Sequence, residues 1–223
     1  MKHTKVLLAI LLAVVMVCAL CACGVELGGE ETWTYSAEDK EGTDELFHNF
    51  FEETFAATNL VVTADANGES MFTETIDGTS EFVDYPVSGA KTWSFIKDGE
   101  YIYALTGDGS NYYMVGEEYY GYGHLVYKNT IDLFEMLPEE GLTFACEVSG
   151  SAENGKSSEK LTMSIENDEG TIKIDAEKED GLVRTITMFR REGENETTIT
   201  MTLAYGAAAV ELPDISGMSK VEY

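Results

Sequence analysis

Leu142-Thr-Phe144-Ala-Cys146-Glu-Val148, Leu161-Thr-Met163-Ser-Ile165, Ile172-Lys-Ile174-Asp-Ala176 and Ile199-Thr-Met201-Thr-Leu203 carry an apolar side chain at every second residue. Successive side chains of an extended chain point to opposite faces, so each stretch is a strand with one apolar and one wet face. A helix would repeat every three or four residues. A parallel sheet between helix layers would read as continuous apolar runs. The pattern is that of an antiparallel meander, and a parallel α/β fold is excluded.

Outward from this core, period two holds from Leu60 onward. It predicts strands over 60–66, 69–76, 92–97, 100–106, 111–117, 142–149, 158–167, 170–178, 182–191, 196–204 and 207–212. Ala66-Asn67-Gly68, Lys97-Asp98-Gly99, Asp168-Glu169-Gly170, Glu179-Asp180-Gly181 and Glu192-Gly193 supply the turns. Ahead of them, Thr43 caps a helix whose first turn carries Asp44 and Glu45. Leu46, Phe47, Phe50, Phe51 and Phe55 line one side of it, and it stops near Asn59. A second helix runs from a Thr130 cap through Ile131, Leu133, Phe134 and Leu137 to Pro138.

No repeat or domain-sized linker interrupts residues 44–213, and 214–223 form a C-terminal tail. Two short helices cannot cover so long an apolar face, so the sheet must curl, close or keep a concave apolar cleft. The expected fold class is mostly β (α+β). It is a single strongly curved antiparallel sheet, an open half-barrel, with an N-terminal amphipathic helix and a short mid-chain helix against its concave face.

Residues 1–22 are an address. Met1-Lys-His-Thr-Lys5 is basic, Val6 to Leu20 is apolar, and small residues follow, the make-up of a secretory signal. Leu20-Cys21-Ala22-Cys23 resembles the lipobox of bacterial lipoproteins. The resemblance implies that Cys23 carries a diacylglycerol and becomes the new N-terminus, in a style that suits a Gram-positive cell. Two acyl chains, at about 0.8 kcal/mol per buried methylene, hold a protein on a bilayer where one would not. A plain cleaved signal is the alternative. Residues 23–43 then read as the lipidated N-terminus and an acidic flexible tether, with Trp33 and Tyr35 able to dock locally. The expected location is the extracytoplasmic face of the cell membrane, lipid-anchored.

The formal charge is −27, from 41 acids against 14 Lys and Arg, and becomes −29 without Lys2 and Lys5. Phosphate binding needs clustered cations, so nucleic acid is excluded as a partner. Contact with anionic lipid by charge alone is disfavoured as well.

The helix running into Ala56-Ala57-Thr58-Asn59-Leu60-Val61-Val62, the mid-chain helix before a meander, and the closing Ala208-Ala209-Val210-Glu211-Leu212-Pro213 together resemble the LolA/LppX-like lipoprotein fold over roughly 44–213. That resemblance implies an open half-barrel whose members bind lipids or lipoproteins in the cleft. Many membrane-anchored Gram-positive relatives have no assigned role.

No catalytic, cofactor-binding or metal-ligating set emerges. Beyond the leader only His48 and His124 remain, with no His-x-x-x-His or Cys-x-x-Cys pair, no Gly-x-Ser-x-Gly elbow and no Walker loop. Thr106-Gly-Asp-Gly-Ser110 reads as a turn. The acidic turns at Asp65–Gly68 and Asn167–Gly170 lack the remainder of a calcium loop. Cys146 reads as a small buried hydrophobe.

Candidate cleft-lining residues are Phe51, Phe55, Phe144, Val148, Met163, Ile174, Met188 and Met201. Arg184 and Arg190 share parity with Leu182, Ile186 and Met188. They are candidate contacts for an anionic head group, or else rim residues that snorkel outward. Eight of the 12 tyrosines lie between Tyr101 and Tyr127, either as cross-strand pairs or as an aromatic wall at a cleft mouth.

These readings lead to a non-enzymatic, lipid-anchored, monomeric binding protein holding a hydrophobic or amphiphilic ligand in the cleft. The alternative is an interaction or sensory module with an envelope protein partner and a filled core. Glycan binding through surface tyrosines is the third.

Overall fold

The computed structural model describes residues 31–106, 110–115, 126–131, 141–168 and 170–221. The chain is mostly β, with one open sheet of 13 strands and few helices. In chain order these are β1 (Glu31–Ala37), α1 (Lys40–Phe55), β2 (Asn59–Ala66), β3 (Glu69–Asp77), β4 (Ser80–Tyr85), β5 (Ala90–Lys97), β6 (Glu100–Thr106) and β7 (Asn111–Val115). Then follow α2 (Val126–Ile131), β8 (Thr143–Glu153), β9 (Lys156–Glu166), β10 (Gly170–Glu179), β11 (Leu182–Glu192), β12 (Asn195–Tyr205) and β13 (Ser219–Val221). The order across the sheet is β1-β8-β9-β10-β11-β12-β2-β3-β4-β5-β6-β7-β13, antiparallel throughout except where β13 joins β7.

The register shows why period two decided so much. Cys146 faces Met163, Met163 faces Ile174, Ile174 faces Met188, and Ile186 and Met201 lead on to Ala64. These residues fall on one face, here called the inner face. The buried ones form a single core with Phe47, Phe50 and Phe51 of α1, which packs against β1, β8, β9 and β11.

Several expectations are corrected. Glu31–Ala37 is an edge strand on β8, not part of a flexible tether. Trp33 fastens it, lying over Gly150 and donating from Nε1 to Glu159 Oε1 at 3.2 Å. The helix begins earlier than Thr43, because the Asp39 side chain accepts the Gly42 N–H at 2.7 Å and caps it. Thr43 is an inward-facing, buried residue of its second turn. Thr130 lies inside α2, its hydroxyl bonded to the Val126 carbonyl at 2.8 Å, and Leu133 to Pro138 lie outside the described residues. Residues 207–212 are not a strand; the Asn59 side chain holds them by two bonds to Ala208.

The supposed C-terminal tail is structural. Past β4 the sheet exchanges its polarity, so that Phe95, Ile102 and Ala104 are buried on the outer face under Ile215 and Met218. Trp93 Nε1 donates to the Glu211 carbonyl at 3.1 Å, tying down the same segment.

Gly150 gives a direct check on the β1 correction. A Cβ there would stand 2.4 Å from the Trp33 ring, so Gly150→Val must displace the indole. We expect a loss of about 1–3 kcal/mol in urea unfolding together with a shift in tryptophan emission. No change in either would mean that β1 is not docked.

A buried carboxyl pair as the candidate functional site

Phe72, Glu74 and Ile76 alternate onto the inner face of β3, and Glu81 and Val83 do so on β4. Glu74 pairs with Val83 and Ile76 with Glu81, which makes the two glutamates diagonal neighbours within reach of each other. Glu74 is 0% exposed and Glu81 1%. Burying an ionised carboxylate is costly unless it is paired, and two side by side cannot both ionise cheaply.

The N-terminus of α2 meets this pair. Tyr127 N–H donates to Glu74 Oε2 at 2.7 Å and Val126 N–H to Glu81 Oε1 at 3.3 Å. The Tyr127 hydroxyl continues to the Thr54 carbonyl of α1 at 3.1 Å, and its ring sits 6.2 Å from that of Phe55. Glu74 Oε1 faces no donor among the described residues.

Burial, first of all, pushes the Glu74 carboxyl up to about 10, with the hydrogen bond to Glu81 and its charge adding to it. The N–H groups of Tyr127 and Val126 pull the other way without prevailing. A hydrogen bond between two carboxyls requires that one of them carry a proton. Burial raises Tyr85 to about 12, helped by Tyr103, Glu81 and Glu74; Tyr103 is also raised, mainly by burial. The arrangement therefore binds a proton. Among the described residues no group of three or more His, Cys, Asp or Glu is placed to hold a metal.

The residues expected to line a cleft are placed differently. Phe51, Phe144, Val148, Met163, Ile174 and Met201 are buried in the main core, with Phe55 and Met188 half-buried against it. Phe51 packs at 4.6 Å from Phe47 and 5.3 Å from Phe55, ring to ring. Cys146 is buried with them, and burial raises its thiol to about 11.

Arg184 and Arg190 do not converge. Six residues of strand separate them by about 20 Å. Arg184 lies over the Tyr205 ring at 5.3 Å, whereas Arg190 is 66% exposed and paired with Glu192 at 2.7 Å. A bulge between β10 and β11 also breaks the expected parity at Arg184. Lys178 faces Val183 and Glu177 faces Thr185, so Val183 takes the inner position instead of Leu182 and Arg184. Arg190 and Arg191 do share a groove of about 250 Å³ floored by Leu142, Ile165 and Ile172.

Of the tyrosine cluster, Tyr101, Tyr103, Tyr112 and Tyr113 are half-buried and Tyr127 is buried; Tyr103 and Tyr113 pair across strands at 6.3 Å. Tyr119, Tyr120, Tyr122, His124 and Cys23 lie outside the described residues. Glu74 was legible in Phe72-Thr-Glu74-Thr-Ile76, where an acid interrupts the apolar parity. Glu81 was not, because β4 carries no apolar alternation strong enough to announce it.

No protein-family model matches this chain, and comparison with curated protein sequences finds no match.

Proposed function

We propose that the chain is a lipid-anchored extracytoplasmic module that acts by contact with another protein of the cell envelope while its own core stays filled. The packing of Phe51 of α1 in one core with Phe144, Val148, Met163, Ile174 and Met201 of the sheet carries this reading. In a lipid-holding half-barrel those side chains would border a void. We take the sheet to be curled around α1 as an open half-barrel. In support, one helix packs against β1, β8, β9 and β11 while its phenylalanines share a core with β2, β3 and β4. The edge strand β1, with Tyr35 57% exposed, suits addition of a partner strand.

A lipid-like ligand is the second reading, favoured by the apolar-floored groove at Arg190 and Arg191. Native mass spectrometry of protein purified from membranes separates the two. We expect the chain with its covalent anchor alone, and a discrete protein adduct on cross-linking in cells. A further lipid at one per chain would overturn the partner reading in favour of a carrier.

Anchoring has its own check. Cys23→Ser is expected to move the protein from the membrane fraction to the soluble extracytoplasmic fraction. Retention in the membrane would show that the anchor lies elsewhere.

A further inference from the structure

We propose that the outer edge of β1, together with the groove between β1 and α1, receives an extended arginine-bearing segment of the partner protein, with one guanidinium seated between Tyr35 and Glu45. This rests on the partner reading above and names the chemistry of that partner.

Strand β1 ends the sheet, and among the described residues β8 is its one strand partner. Its register with β8 runs over all seven residues without a bulge, and it carries no Lys, Pro or Gly that would blunt an edge. Thr32 to Ala37 are uncharged, whereas the exposed Glu31 and Glu38 bracket them. In a chain of net charge −27 such an edge suits a strand with cationic side chains.

The groove supplies the specificity. It holds about 320 Å³, with Leu46 and Phe50 of α1 on one side and Val148 of β8 on the other. Tyr35, opposite Val148 in the register and 57% exposed, borders it at the sheet edge. A strand added to β1 sets its inward side chain about 5 Å from Tyr35, at the mouth of this groove. Lys178 is engaged by Glu159 at 3.2 Å and lies over the Phe50 ring, and Lys40 is paired with Asp44. No described cation pairs with Glu45, an exposed residue of the groove. An arginine there lays its methylenes on Leu46, stacks its planar head on Tyr35 and gives two N–H donors to Glu45. Side chains alternate along a strand, so arginines at every second position fit and a block of them does not.

Two labelled seven-residue peptides of equal charge, matched in length to β1, test this by fluorescence anisotropy with the full-length chain in neutral detergent. One alternates Thr and Arg; the other holds the same residues with the arginines in one block. The alternating peptide is expected to bind about tenfold more tightly. Glu45→Gln, at an exposed helix position, is expected to lose about tenfold for that peptide alone. Equal affinity for the two peptides, or none for either, overturns the inference, since alternation would then confer nothing. So does an unchanged affinity in Glu45→Gln. Thr34 would face its own copy in a two-fold pairing of β1 strands, so a disulfide-linked homodimer of Thr34→Cys in cells would assign the edge to a second copy and overturn it too. Each of these failures leaves the partner reading standing while the native mass shows the anchor alone; a further lipid would remove that reading itself.

Discussion

Phe51→Ala is expected to destabilise the domain by about 3–5 kcal/mol, a large share of what a domain of this size possesses. Phe51 is wholly buried, stacked on Phe55 and packed against Phe47, in a core it shares with strands from β8 round to β4. Truncation leaves a cavity that neighbours on a hydrogen-bonded sheet cannot collapse into. Urea titration should show a lower midpoint with little change in slope. The same measurement bears on function. If α1 were a lid over an empty cleft, Phe51 would contribute little to folding and the variant would lose less than about 1 kcal/mol.

Stability should also fall as pH rises, against the common trend for proteins whose carboxylates are held ionised. The folded Glu74 retains its proton to about pH 10, whereas the unfolded side chain releases it near 4.5. The folded state therefore binds the extra proton between those values. Its contribution is complete below pH 4.5 and is lost progressively as pH climbs toward 10. The limiting slope for one proton is about 1.4 kcal/mol per pH unit. Glu74→Gln should flatten the dependence and be more stable than the wild-type chain at pH 8 by about 1–3 kcal/mol. A variant less stable than wild type at that pH would show that the carboxyl is ionised and favourably held.

The antiparallel meander was legible because alternation is local. Five of its long strands, β8 to β12, pair in chain order, and their apolar parity passes from strand to strand without a break until the bulge at Arg184. That bulge was not legible. Arg184 and Ile186 have the same parity in sequence, and only the pairing of Lys178 with Val183 shows that an extra residue intervenes. Strand β1 was hidden for a related reason. Its burial pattern is mostly exposed, and its stability comes from Trp33 on Gly150 and Glu159, residues more than a hundred positions away. The tail after 213 read as polar and short, and gained its place by covering Phe95 and Ile102.

The sequence by itself determined the class of fold, a single wet-and-dry antiparallel sheet, since side-chain period is a property of neighbours along the chain. It also placed α1 with its phenylalanine face, and it set the formal net charge of −27. Tertiary structure alone decided what the inner face packs against. The eight expected cleft residues became mostly core because Phe51 and Phe55 of α1 pack with the six from the strands, and the two arginines parted because strand geometry set them about 20 Å from each other. Glu74 and Glu81 became a site only when β3 and β4 paired and α2 closed over both, removing the water that would have let each carboxyl ionise alone.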